Sequence, residues 1–333
     1  MDRNSLGLSE FRWRKLLTFP IDLYAAFIVA YLLLRGVTTG HFWPVELLSV
    51  ILHWLLLLAI LLLPAALWMR RWPTATLLAV SGAAFVWLYG GLFIPRNVRL
   101  GFNAPHEQSS TLTVMSYNIG NGLASPDSLI KLISESGADI VAMQDMTTNQ
   151  IAGLKPDLQN VYPFQVIHGA GISGIGLLSR YPILEEQLFS LRGSNPYLQV
   201  KLQVGDDLLT VIVVHPPVAF GPGGPDAPSR ADLPVLADMA VKNDPTILLG
   251  DLNFTDQNDG YSYLQRASLV DAFRAAGFGL GLTYPKRRYS GASFLPLIRI
   301  DYIFVTDDIL PVRAWVGEDG GSDHLPVLAE LIW

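Results

Sequence analysis

The sequence predicts two units of different class: three membrane-spanning helices in the first hundred residues, followed by an α+β sandwich. Three observations carry this. Hydrophobic residues make up 50% of the chain and charged residues only 16%, against about a quarter charged in an ordinary soluble domain; the apolar excess lies before residue 100. The charge balance changes sign at the same place. Residues 1–100 hold 9 Lys and Arg against 4 Asp and Glu, which leaves 14 of the 23 bases and 25 of the 29 acids for residues 101–333. Beyond residue 112 the pattern becomes short apolar runs bounded by turn residues, with many strands and few helices between them. That favours an α+β sandwich over a strictly alternating parallel sheet.

The predicted spans are Leu16–Leu34, Val45–Trp68 and Trp72–Ile94. Each approaches or exceeds the roughly 20 apolar residues that cross about 30 Å of hydrocarbon. The second, centred on Leu55-Leu56-Leu57-Leu58, is the most apolar; the first carries Pro20 and Asp22 near its start. Phe42, Trp43, Trp68 and Trp72 fall towards span ends, where amphipathic rings favour the interface. Leu32-Leu33-Leu34-Arg35 offers no small-residue cleavage site, so a retained anchor is preferred to a signal peptide. Glu46 is expected at the interface and His53 paired within the bundle. Arg3, Arg12, Arg14, Lys15, Arg70 and Arg71 lie on one side of these spans and Arg35, Arg96 and Arg99 on the other. That bias places the N-terminus inside and residues 101–333 outside the cytoplasm. The expected organisation is a membrane domain over 1–95, a linker over 96–111 and a second domain over 112–333.

In the second domain, Leu112–Asn118 and Ile140–Gln144 read as strands. Between them Ser125-Pro126-Asp127 opens a helix with an N-cap, a proline at the first position and an acid in the first turn, and Gly137 closes it. Leu198–Val204 and Leu208–Val214 flank the hairpin signal Gly205-Asp206-Asp207. Arg230–Val241 reads as helix; Thr246–Leu249, Arg299–Val305, Leu310–Val316 and Pro326–Ile332 read as strands.

The chain has no cysteine, which excludes disulfides, thiolate metal sites and thiol nucleophiles. An acidic domain repels a polyanion unless a local basic patch or bound metal intervenes, so no stable nucleic-acid complex is expected. The single basic run, Lys286-Arg287-Arg288, reads equally well as a solvated loop.

The polar residues that carry chemistry fall at strand ends: Asn118, Gln144-Asp145, His215, Asp251 with Asn253, Asp301, and Asp323-His324. One such residue is ordinary turn chemistry. Six strand ends that each deliver an acid, amide or imidazole are hard to explain as caps.

In order, Ser116-Tyr117-Asn118, Gln144-Asp145, Gly176-Leu177-Leu178-Ser179, His215, Gly250-Asp251-Leu252-Asn253, Ile300-Asp301-Tyr302 and Ser322-Asp323-His324 resemble the motifs of the endonuclease/exonuclease/phosphatase superfamily over about residues 112–333. With apolar segments ahead of the domain, the chain also resembles a bacterial membrane-bound branch related to teicoplanin-resistance membrane proteins. The resemblance implies a four-layer αββα sandwich of the DNase I type and a metal-dependent phosphoric ester hydrolase. It implies that Asn118, Asp145 and Asp323 hold Mg²⁺, with Mn²⁺ as the alternative. Asp251 and Asn253 would position the attacking water and a phosphate oxygen, His215 would donate to the phosphoryl group, and Asp301 would fix the tautomer of His324. The chain departs from the family in having Gln144-Asp145 where Gln-Glu is usual; Asp is shorter by about 1.5 Å. The sequence names no carboxylate partner for His215. Oligomeric state is not readable. Three functions stay open: a membrane-anchored phosphatase or phosphodiesterase acting on a lipid-linked or small phosphoester, an extracytoplasmic nuclease, and a non-catalytic binding module that keeps the fold.

Overall fold

A computed structural model of the protein describes residues 3–38, 42–94, 111–169, 171–192, 195–218, 228–287 and 292–332. The expected linker up to residue 110, with Arg96 and Arg99, and Arg288 therefore lie outside the described residues; Thr111, its last expected residue, opens the first strand instead. The chain divides into two compact units, Met1–Gly91 and Leu92–Trp333.

The first unit is helical: α1 (Arg3–Thr38), α2 (Trp43–Ser49), α3 (Leu52–Trp68) and α4 (Trp72–Tyr89). Thr18–Thr38 and Trp72–Phe93 are each long and apolar enough to cross a membrane. The expected middle crossing is found as a bent pair: α2 and α3 reach that length only together, with a 65° bend, so the described helices offer two spans, or three if the pair crosses. The apolar run changes partner at the bend. Tyr31 of α1 ties to Ser49 Oγ at 2.8 Å and Val45 O at 3.3 Å, whereas α3 packs on α4, with Ile60 Cγ1 3.3 Å from where a Cβ on Gly82 would sit. Small residues at this seam, Ala59, Ala66 and Ala75, let the helices approach closely. Asp22, the charge that weakens the first predicted span, accepts hydrogen bonds from Arg71 and Thr74. Glu46 and His53 are both buried within this unit.

The second unit holds two six-stranded mixed sheets. Sheet one takes β1 (Thr111–Asn118), β2 (Ile140–Met146), β3 (Phe164–His168), β4 (Gly171–Ser179), β11 (Leu310–Val316) and β12 (Val327–Ile332), in the order β11-β12-β1-β2-β4-β3. Sheet two takes β5 (Ile183–Phe189), β6 (Tyr197–Val204), β7 (Asp207–Val214), β8 (Thr246–Asp251), β9 (Val270–Asp271) and β10 (Asp301–Val305), in the order β5-β6-β7-β8-β10-β9. The pairs β1–β2 and β7–β8 are parallel and their neighbours antiparallel.

Period-two alternation decides the layers. Leu112 and Val114, Ile140 and Ala142, Leu209, Val211 and Val213, and Ile247 and Leu249 point into one core between the sheets. The alternate residues Met115, Tyr117, Val141 and Met143 pack with Leu129, Ile133, Leu154 and Leu158 of α5 (Pro126–Glu135) and α6 (Thr148–Leu158). Ile212, Leu248 and Phe304 pack with Leu233, Leu236 and Leu264 of α7 (Pro228–Lys242) and α8 (Asp259–Arg266). The result is helix, sheet, sheet, helix, as the resemblance implies. A short α9 (Ala272–Ala276) follows β9. The signals read for α5 hold: Ser125 accepts from Ser128 N and Gly137 has φ +71°.

Candidate active site

Alternation that buries Leu112 and Val114 between the sheets also aims Ser116 and Asn118 there. By the same parity Gln144, His215, Asp251 and Asp301 fall on the inner faces, at the edge where β1, β2, β7 and β8 end. β7 and β8 approach so closely that a Cβ on Gly250 would lie 1.8 Å from Val214 O; only glycine allows the backbone that delivers Asp251 beside His215. Asp145 has the wrong parity. The β2–β4 register shifts between Gln144 and Met146, where β4 carries the extra residues, and Asp145 itself takes a left-handed backbone, φ +57°, which breaks the alternation and turns its carboxylate to the site.

Asp251 is the hub. Asn118 Nδ2 donates to Asp251 Oδ2 at 3.0 Å and to Asp145 Oδ2 at 3.2 Å. His215 Nε2 and His324 Nε2 each lie 3.6 Å from Asp251 Oδ2. His324 Nδ1 meets Asp301 Oδ2 at 2.9 Å, and His215 Nδ1 lies 3.4 Å from Asp145 Oδ1. His215 therefore has carboxylate neighbours on both ring nitrogens, which the sequence did not reveal. Asn253 is tied in through its backbone, N–H to Asp251 Oδ1 at 2.9 Å, while its amide donates to Pro216 O at 3.0 Å. Asp323 is reached through Ser322, whose hydroxyl lies 3.3 Å from Asp323 Oδ1 and donates to Asn118 O at 2.8 Å. The structure thus brings together six of the eight expected side chains directly and attaches Asn253 and Asp323 at the margin.

Burial sets the electrostatics. Desolvation raises the carboxyl of Asp251, against the pull of His324 and His215, and desolvation likewise raises that of Asp145 against His215 and Asn118. Burial opposes a charge on His324, but Asp301 and Asp251 outweigh it and push its pKa up to about 10.

A cation fits this site. Ligand atoms of Asp251, Asp301 and His324 all lie within 4.8 Å of one another. Asp145 Oδ1, Asp301 Oδ1 and His215 Nδ1 are buried and make no hydrogen bond, which leaves carboxylate oxygens for a hard, oxygen-seeking ion.

Three supports had no sequence signal. Tyr284 packs its ring 4.6 Å from that of His324. Asn195 Nδ2 donates to His215 O at 3.1 Å. Arg299, buried, pairs with Asp271 at 2.9 Å and Asp256 at 3.5 Å two residues before Asp301. A loop aromatic, an amide and an arginine in a strand approach have no periodicity that marks them.

Residues 115–324 match the model of the endonuclease/exonuclease/phosphatase family. The chain belongs to that family. Members of the endonuclease/exonuclease/phosphatase family are generally phosphoester hydrolases. No curated protein matches the sequence significantly, but solved structures do. An endonuclease/exonuclease/phosphatase from Bacteroides vulgatus is 21% identical with a TM-score of 0.54, over 67% of this chain and 98% of that one. Truncated Caenorhabditis elegans TDP2 is 17% identical with a TM-score of 0.53, over 67% and 98%. D. rerio TDP2 solved with a single-strand DNA product is 16% identical with a TM-score of 0.54, over 67% and 99%. At these identities the likeness is one of fold.

Proposed function

We propose that the protein is a membrane-anchored, Mg²⁺-dependent phosphatase or phosphodiesterase whose second unit acts outside the cytoplasm on a small or lipid-linked phosphoester. The observation that carries the chemistry is the single buried cluster in which Asp251 touches Asn118, His215 and His324. Asn118 and Asp145 would hold the cation, with Asp251 beside them and Asp323 at the margin. A bound Mg²⁺ neutralises phosphoryl charge and acidifies a nearby water.

The side chains divide the remaining work. Asp301 fixes Nδ1 of His324 and Nε2 faces Asp251; a cation bound beside these carboxylates would offset the charge that keeps the ring protonated, and Nε2 could then hold a proton taken from the attacking water. Asp251 and Asn253 orient that water and a phosphate oxygen. His215, braced by Asp145 and Asp251, donates to the phosphoryl group and stabilises its growing charge. Asp145 reaches the site from a left-handed backbone, φ +57°.

Anchoring rests on Thr18–Thr38 and Trp72–Phe93, with the bent α2–α3 pair as a third span. Three spans and the basic bias put the second unit outside. Extracytoplasmic nuclease activity is the second reading, favoured by the fold neighbour solved with a DNA product and opposed by the acidic charge of residues 101–333. A binding module without turnover is the third.

Full-length protein in detergent, given Mg²⁺ and a panel of a polyprenyl diphosphate, a phospholipid, an inositol phosphate and plasmid DNA, tests the proposal. Release of phosphate or headgroup from the lipid or small substrates supports it, plasmid cleavage alone supports the nuclease, and no turnover supports the binding module.

A further inference from the structure

The loop between α9 and β10 has no part in the chemistry above, yet it is laced to the site. Its outgoing arm, Thr283–Arg287, accepts Leu325 N–H at Thr283 O (2.9 Å) and gives Lys286 N–H to Asp323 O (2.6 Å). Its return arm, Ala292–Ile298, pairs back across: Phe294 N–H to Lys286 O at 2.7 Å and Leu297 N–H to Tyr284 O at 2.8 Å. Tyr284, on the outgoing arm, packs against His324. The return arm presents Phe294, Leu295 and Leu297 to solvent, 39%, 82% and 47% exposed. Beside them stand Lys286 and Arg287, two cations against the one carboxylate of Asp319, at 4.0 and 3.1 Å.

Two other exposed apolar residues leave the same end of the sheets. Ile172, 62% exposed, follows Gly171, which pairs with Met146 next to Asp145. Val218, 61% exposed, comes three residues after His215. The rim of a buried acidic site is thus apolar, with positive charge on one arm.

We propose that these arms dock on the headgroup layer of a lipid bilayer, with Phe294, Leu295 and Leu297 entering the interface and Lys286 and Arg287 at the level of the lipid phosphates. The site then takes phosphoesters presented at the membrane surface. This deepens the preceding reading and rests on it for the nearness of a bilayer. A few apolar side chains flanked by cations suit an interface that is apolar below and anionic above. They are too few for a stable protein partner, which needs roughly 1,000 Å² or more in total. Residues 94–110, which join the last apolar helix to β1, reach at most about 60 Å at about 3.5 Å per residue, so the domain stays close to any membrane that holds the helix.

The chain has no cysteine, so L295C carries a single environment-sensitive fluorophore on the full-length protein. D206C, in the β6–β7 turn at the far end of the sheets, is the control. Both are reconstituted in phosphatidylcholine nanodiscs, with and without phosphatidylglycerol, containing doxyl-labelled lipid. The expected result is a blue shift and quenching at 295 about threefold or more above that at 206, greater with phosphatidylglycerol and reduced in a K286E/R287E background. Quenching at 295 no greater than at 206 overturns the proposal. Equal quenching in both lipids overturns the assignment of Lys286 and Arg287. A blue shift that grows with protein concentration and ignores the doxyl lipid means that a second copy covers the arm, and also overturns it. If the chain fails to enter the disc, the anchoring reading falls; the same probe mixed with phosphatidylglycerol vesicles then decides the docking on its own.

Discussion

His324 lies between Asp301 and Asp251, and its proton is the most exposed consequence of that placement. The folded pKa is about 10 against an ordinary 6.5. A group raised on folding stabilises the fold fully below its unfolded pKa. Here that contribution is present below pH 6.5 and is lost as the pH climbs through about 10. In metal-free protein, NMR of the His324 ring should titrate well above the neutral range, and Asp301→Asn should move it down, because the carboxylate that raises it most is gone. A ring that titrates near 6.5 in the unmodified protein would contradict the geometry.

Asp145 gives the matching prediction for the cation. Its carboxyl is raised by burial, and a ligand must lose its proton to bind. Mg²⁺ affinity by calorimetry should therefore rise with pH through the carboxylate range and release protons. Asp145→Ala should abolish activity and weaken Mg²⁺ binding; Asp145→Glu, the family's usual residue, should keep both. Normal rates in Asp145→Ala would show that another residue holds the metal.

At the scale of elements, much of the site was legible because parity is legible. Asn118, Gln144, His215, Asp251 and Asp301 share the inner face with the apolar residues that precede them, so six polar strand ends could be read as one edge. Asp145 was nameable as a strand-end acid, but its role as a metal ligand only through the family resemblance, since strict alternation sends it to the outer face and its left-handed backbone, φ +57°, has no local sequence signal. Elements that escaped reading have local reasons. The helix Thr148–Leu158 contains Gly153 and Pro156, which blur its period; it is specified by the Thr147–Gln150 capping box and by close packing, since a Cβ on Gly153 would lie 2.7 Å from Pro126 Cβ. The edge strand Ile183–Phe189 carries Glu185, Glu186 and Gln187 in a row on an exposed ribbon, so neither period nor burial marks it. Gly250 supplies the test. Gly250→Ala drives a methyl into Val214 O and should cost about 3 kcal/mol or more. A melting temperature within a degree or two of the unmodified protein would show that β7 and β8 have room to part.

For the whole molecule, composition separated the apolar and acidic parts of the chain, and the structure divides at Gly91. The number of spans was less legible. Hydropathy alone made Val45–Trp68 one crossing, whereas the backbone bends by 65° between α2 and α3, and a window average does not register a change of packing partner. Sidedness depends on that count. A periplasmic-type phosphatase reporter fused at Trp333 should be active if the α2–α3 pair crosses; activity confined to a cytoplasmic reporter would mean the pair re-enters on the same side.

The account stands most directly on one rate measurement. Full-length protein is given a generic phosphodiester, bis(p-nitrophenyl) phosphate, with Mg²⁺, and then again after chelation, alongside His324→Ala and the His324→Ala/Asp301→Ala pair shown to be folded. The predicted result is Mg²⁺-dependent turnover, a loss of about 10²–10⁴-fold on removing His324, and little further loss in the pair, because the two side chains act as one unit. Full activity in folded His324→Ala with Mg²⁺ present, or no metal-dependent turnover in the unmodified protein, would contradict it.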